Sequence, residues 1–219
     1  VCFKSGNVDY QSHRNRYGDV DWWDGLEMKN MPGYTTTLLT TLSEDYIKEN
    51  KDKPFCLYIA HAAPHSPMQG PNEKAIRTEA TLEGDKNSDR PNKEIYKDMV
   101  EELDWSVGRI LETLKKYKLD KNTFVVFFSD NGPVINNGGS TGGYRGAKGA
   151  PWEGGHRVPG ICYMPGTVKG GTMCKQTVMS FDLFPTMLDM ANIHYDDSKK
   201  KLDGASLVPL FKGCLLYTS

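Results

Sequence analysis

Between residues 93 and 117, apolar side chains fall at Ile95, Met99, Leu103, Val107, Ile110, Leu111 and Leu114, with charged positions between them. They form one stripe of a 3.6-residue repeat and predict an amphipathic helix. Lys115, Lys116 and Lys118 suit its C-terminal end. A second helix is expected over 35–50, where Leu38, Leu39, Leu42, Tyr46 and Ile47 keep helical spacing. Pro54 stops it, and Phe55-Cys56-Leu57-Tyr58-Ile59-Ala60 is a short apolar run suited to a buried strand. Two prolines then force a loop through His61-Ala62-Ala63-Pro64-His65-Ser66-Pro67. Phe124-Val125-Val126-Phe127-Phe128 reads as a strand, and Val158 to Met164 as another. Asp182 can cap a helix running through about Asn192, with Pro185 in its first turn. Leu202 to Phe211 is a short closing segment.

The intervening stretches lack a period. Residues 1–33 are polar, turn-rich and aromatic, and read as a surface loop region. Residues 69–92, with Gly84 and Pro91, read as an exposed charged excursion. The order strand, helix, strand, long loop, strand, helix predicts an α/β layered fold, with no internal repeat and no domain linker.

Composition narrows the class. The 219 residues suffice for one sizeable domain, and 38% hydrophobic with 25% charged residues describes a globular chain. With 27 basic against 28 acidic residues, nothing in the charge balance calls for nucleic acid as a partner. No apolar run approaches the ~20 residues of a membrane span. The five cysteines, Cys2, Cys56, Cys162, Cys174 and Cys214, form no C-x-x-C pair, so a zinc site is not expected from them. Cys56 and Cys162 lie in apolar runs and read as buried small hydrophobes. The six residues 214–219 match a reading frame of a common sequencing adapter and are expected to be a non-native tail.

The candidate chemistry gathers after the strand at 124–128. There the apolar run stops at Ser129-Asp130-Asn131-Gly132. In open α/β sheets, ligands bind beyond the carboxyl ends of strands. One carboxylate and one amide oxygen are hard donors suited to Ca²⁺ or Mg²⁺, although Asp, Asn and Gly are also ordinary turn formers. A glycine-rich loop follows and carries Lys148 and Trp152 in its densest part. Glycines let backbone approach a ligand, and a lysine among them can hold a tetrahedral anion, although a lone lysine is more often a solvated charge. His65 directly follows a strand, as Asp130 does, and could give a proton to a leaving oxygen. His61 reads as structural and His13 as a residue that could line a pocket. Trp22 and Trp23 could stack on a sugar or anchor a loop.

Together these segments resemble the type I sulfatases of the alkaline-phosphatase superfamily, most of all the arylsulfatase B-like and bacterial polysaccharide-sulfatase branches. The resemblance rests on Gly6-Asn7-Val8-Asp9-Tyr10-Gln11-Ser12-His13, Lys53-Pro54-Phe55-Cys56-Leu57-Tyr58, Pro64-His65-Ser66-Pro67 and Ser129-Asp130-Asn131-Gly132. It continues through Arg145-Gly146-Ala147-Lys148-Gly149, Trp152-Glu153-Gly154-Gly155, Arg157-Val158-Pro159, Asp182-Leu183-Phe184-Pro185-Thr186 and Leu202-Asp203-Gly204. It implies an α/β alkaline-phosphatase-like layered fold with a central, mostly parallel sheet flanked by helices. Residues 1–213 would be a partial catalytic domain, the C-terminal part.

By the same resemblance, Asp130 and Asn131 match a pair of calcium ligands, with Mg²⁺ an alternative. Lys148 matches the lysine that contacts sulfate and nucleophile, and His65 the histidine that helps the ester oxygen leave. His13 falls in a segment near the substrate pocket, while Arg157 and Glu153 match structural positions. The implied activity is hydrolysis of sulfate esters on carbohydrates. It would use calcium and a formylglycine made by a maturation enzyme from a Cys or Ser in a C/S-x-P-x-R motif. That motif does not occur in this chain, nor does the family's first acidic pair, so the nucleophile is expected upstream and the chain alone is expected to be inactive. A secreted, periplasmic or lysosome-like location is implied. The alternatives are a phosphate or phosphonate ester hydrolase of the same superfamily and a non-catalytic protein that binds sulfated glycans.

Overall fold

A computed structural model describes residues 3–4, 6–79, 88–198 and 200–212. Cys2, Cys214, Gly84 and the tail 214–219 therefore lie outside the described residues. The chain divides into two compact units. The first is residues 1–117 with 129–159, and the second is residues 118–128 with 160–219.

The first unit is built on two packed helices, α1 (Thr35–Asn50) and α2 (Asn92–Lys116). Both lie within two residues of where the periodicity puts them. α2 buries Ile95, Met99, Leu103 and Leu114 from its predicted stripe. α1 turns a different face inward: Thr35, Thr36, Thr40, Ser43 and Ile47 are buried, and Tyr46 is exposed. Hydroxyls can serve this face because they are satisfied locally. Thr40 Oγ1 bonds the Thr36 carbonyl at 2.7 Å and Ser43 Oγ the Leu39 carbonyl at 2.7 Å. The small side chains bring α1 close to α2, with the Thr40 and Ser106 hydroxyls 2.6 Å apart. Arg109 and Glu44 close the edge of this contact at 2.9 Å.

The expected surface region holds for residues 24–30, which are exposed, but not for residues 8–22. Tyr10 and Trp22 are fully buried and Val8 nearly so, and a short hairpin of β1 (Trp23–Asp24) and β2 (Glu27–Met28) follows. The expected charged excursion also begins in the interior, with Met68, Gln69 and Arg77 buried. A buried carboxylate explains both departures. Asp9 Oδ1 accepts from the amides of Gln11 and Ser12, and Oδ2 from those of Ile76 and Arg77 and from Gln69 Nε2, at 2.7–3.2 Å. Polar sequence is thus drawn inward because its hydrogen bonds are made there.

The expected strand Phe55–Ala60 joins no ladder among the described residues. Its side chains alternate: Phe55, Leu57 and Ile59 are half-buried, while Cys56, Tyr58 and Ala60 are exposed. Cys56 is therefore not the buried residue its apolar neighbours suggest, because period-two geometry turns it outward.

In the second unit, β3 (Val125–Phe128) pairs antiparallel with β4 (Gly160–Tyr163), Val126 opposite Cys162. Cys162 is half-buried, and burial raises its thiol pKa. Both strand pairs among the described residues are antiparallel, so these residues do not themselves assemble the mostly parallel sheet. α4 (Leu183–Met190) begins where expected, but Asp182 does not cap it forward. Its carboxylate instead accepts from the amides of Met179 at 2.7 Å and Ala205 at 2.9 Å, tying α4 to the closing segment and α5 (Val208–Phe211). Among the described residues no helix is long and apolar enough to cross a membrane.

Candidate functional site

Asp130, Asn131, Lys148, His65 and His13 all belong to the first unit. The loop from Ser129 to Pro159 is closed by its own backbone. Gly132 N donates to Gly155 O at 2.8 Å, Gly154 N to Arg145 O at 2.8 Å, and Lys148 N to Pro133 O at 3.0 Å. Its last turn is the short helix α3 (Glu153–His156). Glycine is required at the crossings. A Cβ on Gly132 would collide with the Gly154 carbonyl, one on Gly154 with the Gly146 carbonyl, and one on Gly155 with the Ala150 carbonyl. The glycine-rich stretch is thus a clasp rather than a flexible linker. It brings the Lys148 backbone against Pro133, two residues past Asn131.

The side chains on this clasp are available. Asp130 is exposed, and its carboxylate has no hydrogen bond or ion pair among the described residues. Asn131 Nδ2 donates to the Gly132 carbonyl at 3.2 Å, which leaves Oδ1 free to accept a cation. Lys148 is exposed with no ion-pair partner. Two hard oxygen donors side by side fit part of a calcium shell, which takes six to eight oxygens. No group of three or more His, Cys, Asp or Glu side chains among the described residues could hold a metal by itself. The pair therefore fits calcium as part of a ligand set.

His65 stands on a separate loop, between the cis peptides Ala63-Pro64 and Ser66-Pro67. It is exposed, and its Nδ1 lies 2.8 Å from the Ser66 carbonyl. A carbonyl only accepts, so Nδ1 carries the proton and Nε2 is the free ring position. In the neutral ring Nε2 accepts a proton, and in the imidazolium it donates one.

Sequence reasoning missed the support beneath this histidine. The Tyr10 hydroxyl donates to the His65 carbonyl at 2.9 Å, and its amide donates to Gln69 Oε1 at 2.9 Å. Tyr10 stacks on Tyr34, whose hydroxyl donates to the Gln69 carbonyl at 2.8 Å. Burial drives the Tyr10 phenol well above its ordinary pKa, so it remains a donor. Gln69 in turn reaches Asp9. Burial alone would raise the Asp9 pKa, but the amides of Ser12, Arg77, Ile76 and Gln11 outweigh it and hold the carboxyl below the ordinary carboxylate value. The only trace of this in the sequence is the turn-forming Asp9-Tyr10-Gln11-Ser12.

His13 is 1% exposed, in a left-handed conformation, with its ring 4.5 Å from that of Trp22. Neither ring nitrogen makes a hydrogen bond of ordinary geometry. Burial lowers its pKa, against the opposing pull of the nearby Gly33 backbone and Asp9. His13 thus lines no open surface in this conformation. Trp22 anchors the loop, and Trp23 lies beneath the Lys4 ammonium, 3.3 Å from its ring centre. His61 sits against Ser106 at 3.4 Å, and burial lowers its pKa to about 4.

The family model for Sulfatase matches residues 3–193. Steryl-sulfatase of Rattus norvegicus is 34% identical over 186 residues, covering 81% of this chain and 30% of that protein. N-acetylgalactosamine-6-sulfatase of Mus musculus is 35% identical over 188 residues, covering 83% of this chain and 34% of that protein. Arylsulfatase D of Homo sapiens is 30% identical over 224 residues, 95% of this chain and 35% of that protein. The chain thus spans about a third of the length of the curated relatives it matches. Among solved structures, Ps i-CgsB in complex with k-i-k-neocarrahexaose superposes with a TM-score of 0.74 at 29% identity, covering 86% of this chain and 41% of that one. PsFucS1 sulfatase from Pseudoalteromonas sp. gives 0.62 at 27% identity, over 81% and 34%. These likenesses give the chain the α/β, alkaline-phosphatase-like fold.

Proposed function

As the chain belongs to the sulfatase family, with residues 3–193 matched, we propose that the intact protein hydrolyses sulfate esters on carbohydrates. Residues 1–213 contribute part of its catalytic domain. The observation that carries this reading is the clasp, which ties Lys148 to the backbone just past Asp130-Asn131 through the bond to Pro133. The backbone bond brings the segment that carries the lysine against the segment that carries the two oxygen donors, which supports binding of a sulfate group beside a metal. A sugar substrate is supported by the oligosaccharide-bound Ps i-CgsB and by N-acetylgalactosamine-6-sulfatase among the similar proteins.

The Asp130 carboxylate and Asn131 Oδ1 hold part of the calcium shell, and calcium when bound supplies neutralisation of the sulfate oxygens. Lys148 binds a sulfate oxygen and stabilises the charge that grows as the ester bond breaks. His65, protonated at Nε2, gives that proton to the departing alkoxide oxygen. The attacking group, a formylglycine made by a maturation enzyme, comes from another part of the intact protein. His13 reaches substrate only if its segment rearranges. A secreted, periplasmic or lysosome-like location fits this activity.

The test is sulfate release from a chromogenic aryl sulfate and from a sulfated oligosaccharide by the intact protein with calcium. Lys148→Ala and His65→Ala should each lower kcat by roughly 100-fold or more. Release of phosphate but not sulfate from matched esters, or a Lys148→Ala protein of full activity, would overturn the reading.

A further inference from the structure

The sequence holds two Asn-Gly pairs, Asn131-Gly132 and Asn137-Gly138. Such a pair carries its own reaction. The glycine backbone nitrogen attacks the asparagine side-chain carbonyl, so that an N–Cγ bond forms and the Cγ–Nδ2 bond breaks. The glycine N–H proton leaves with the amide nitrogen as ammonia, and a succinimide ring remains. Water, the sole co-reactant, then opens the ring to aspartate or to isoaspartate, in which the backbone runs through the side-chain carbon. Glycine favours the attack because no Cβ crowds its nitrogen.

The two pairs are held differently. Gly132 is buried, and its N–H is donated across the clasp to the Gly155 carbonyl at 2.8 Å. A Cβ on Gly132 would stand 2.0 Å from the Gly154 carbonyl, so a second strand of backbone lies directly against this peptide. Asn131 Nδ2 is itself held on the Gly132 carbonyl at 3.2 Å. Ring closure needs the Gly132 nitrogen to lose its proton to solvent and to turn toward Asn131 Cγ. Both need it to leave Gly155, and the Gly154 carbonyl stands in the way of the turn. Gly138 N donates only within its own short turn, to Ile135 O at 3.0 Å, at the end of the single 3₁₀ turn Ile135–Asn137. A bond of that kind opens by fraying, without disturbing the rest of the loop.

We infer that Asn131 is a site of spontaneous deamidation that the clasp holds shut, and that Asn137 is one the clasp leaves open. This goes beyond the sulfatase reading and rests on the clasp alone. Its consequence reaches the acid–amide pair. Aspartate at 131 places a second negative charge beside Asp130, and isoaspartate lengthens the backbone there by a methylene. Each opening of the clasp thus exposes the site to a permanent covalent change.

The experiment incubates the intact protein at mildly alkaline pH and follows conversion at each pair by peptide mass spectrometry. The same protein in concentrated urea gives the unprotected rates. Asn137 should convert within a few-fold of its urea rate, and Asn131 roughly a hundredfold below its own, because the clasp's three backbone bonds must open together. Hydrogen exchange at the Gly132 amide should rise in step with conversion at Asn131 as urea is added below the unfolding midpoint. Gly155→Ala, whose Cβ would stand 2.1 Å from the Ala150 carbonyl, should bring Asn131 near its urea rate and leave Asn137 unmoved. If that variant does not fold, the urea series on the unaltered protein decides. Conversion at Asn131 that is as fast folded as in urea, slow in both, or indifferent to exchange at Gly132 overturns the inference, and so does equal protection at the two pairs. None of these readouts needs sulfate release, so a protein without activity would count against the sulfatase reading and not against the protected asparagine.

Discussion

Replacing Asp9 by Asn keeps the shape of the side chain and removes one of its two acceptor oxygens. The carboxylate accepts from five N–H groups, two at Oδ1 and three at Oδ2. However the new amide turns, its NH₂ faces at least two donors: the amides of Gln11 and Ser12 in one orientation, or those of Ile76 and Arg77 with Gln69 Nε2 in the other. Each buried donor left without an acceptor costs about 1–3 kcal/mol, so the variant should lose ~4 kcal/mol. Urea unfolding followed by tryptophan fluorescence measures this, since Trp22, Trp23, Trp105 and Trp152 all lie in the first unit. The pH dependence adds a second check. The folded Asp9 pKa lies below the ordinary 3.8, so its stabilisation is complete above that value and is lost as pH falls through the folded pKa. The gap between wild type and Asp9→Asn should therefore be widest near neutrality and narrow in acid. A neutral-pH loss under about 1 kcal/mol, or a gap that does not narrow, would refute the assignment of Asp9 as the centre holding residues 9–12 to residues 69–77.

Further outcomes test other links in the structure. Gly132→Ala should destabilise by about 1–3 kcal/mol and expose the Lys148 amide to hydrogen exchange, because its Cβ meets backbone that cannot step aside. Gly108→Ala, at an open position within α2, should instead stabilise by up to about 1 kcal/mol in the same urea titration. His61 is held neutral with a pKa of about 4, so it contributes stability in full above about 6.5 that falls away as pH drops toward 4. His61→Gln should flatten that part of the stability profile, and an unchanged slope would remove His61 as its source. Tyr10→Phe, which deletes the hydroxyl under the His65 carbonyl, should lower kcat of the intact enzyme several-fold with KM little changed. An unaltered kcat would mean that Tyr10 does not position His65.

The periodic parts of the fold were legible because their packing is local. α2 exposes its stripe directly in the spacing of Ile95, Met99, Leu103 and Leu114. The face of α1 was not, since hydropathy ranks Leu38 and Leu39 above Thr36 and Thr40 and ignores the i−4 hydroxyl bonds that let threonine be buried. The interior position of residues 8–22 was hidden for a similar reason. It depends on Asp9 contacting residues more than sixty positions away, and no local window contains that pairing. The candidate site divides along the same line. Asp130, Asn131 and Lys148 stand out as residue types, and the glycine spacing around them marks the clasp that joins their segments. Tyr10 and Gln69 could not be found that way, because Tyr10 holds a carbonyl fifty-five residues on and Gln69 meets the Tyr10 amide across fifty-nine.

The clasp also sets where this loop can change over evolutionary time. Gly132, Gly154 and Gly155 admit no side chain, so the segments carrying the acid–amide pair and the lysine must drift together or not at all. Gly142 and Gly143, by contrast, have open space around them and lie outside the crossing points. Insertions at that tip would lengthen the rim beside Tyr144 while leaving the chemistry in register. A family with one reaction and many substrates could diversify there first, with the tip acting as a variable region on a fixed frame.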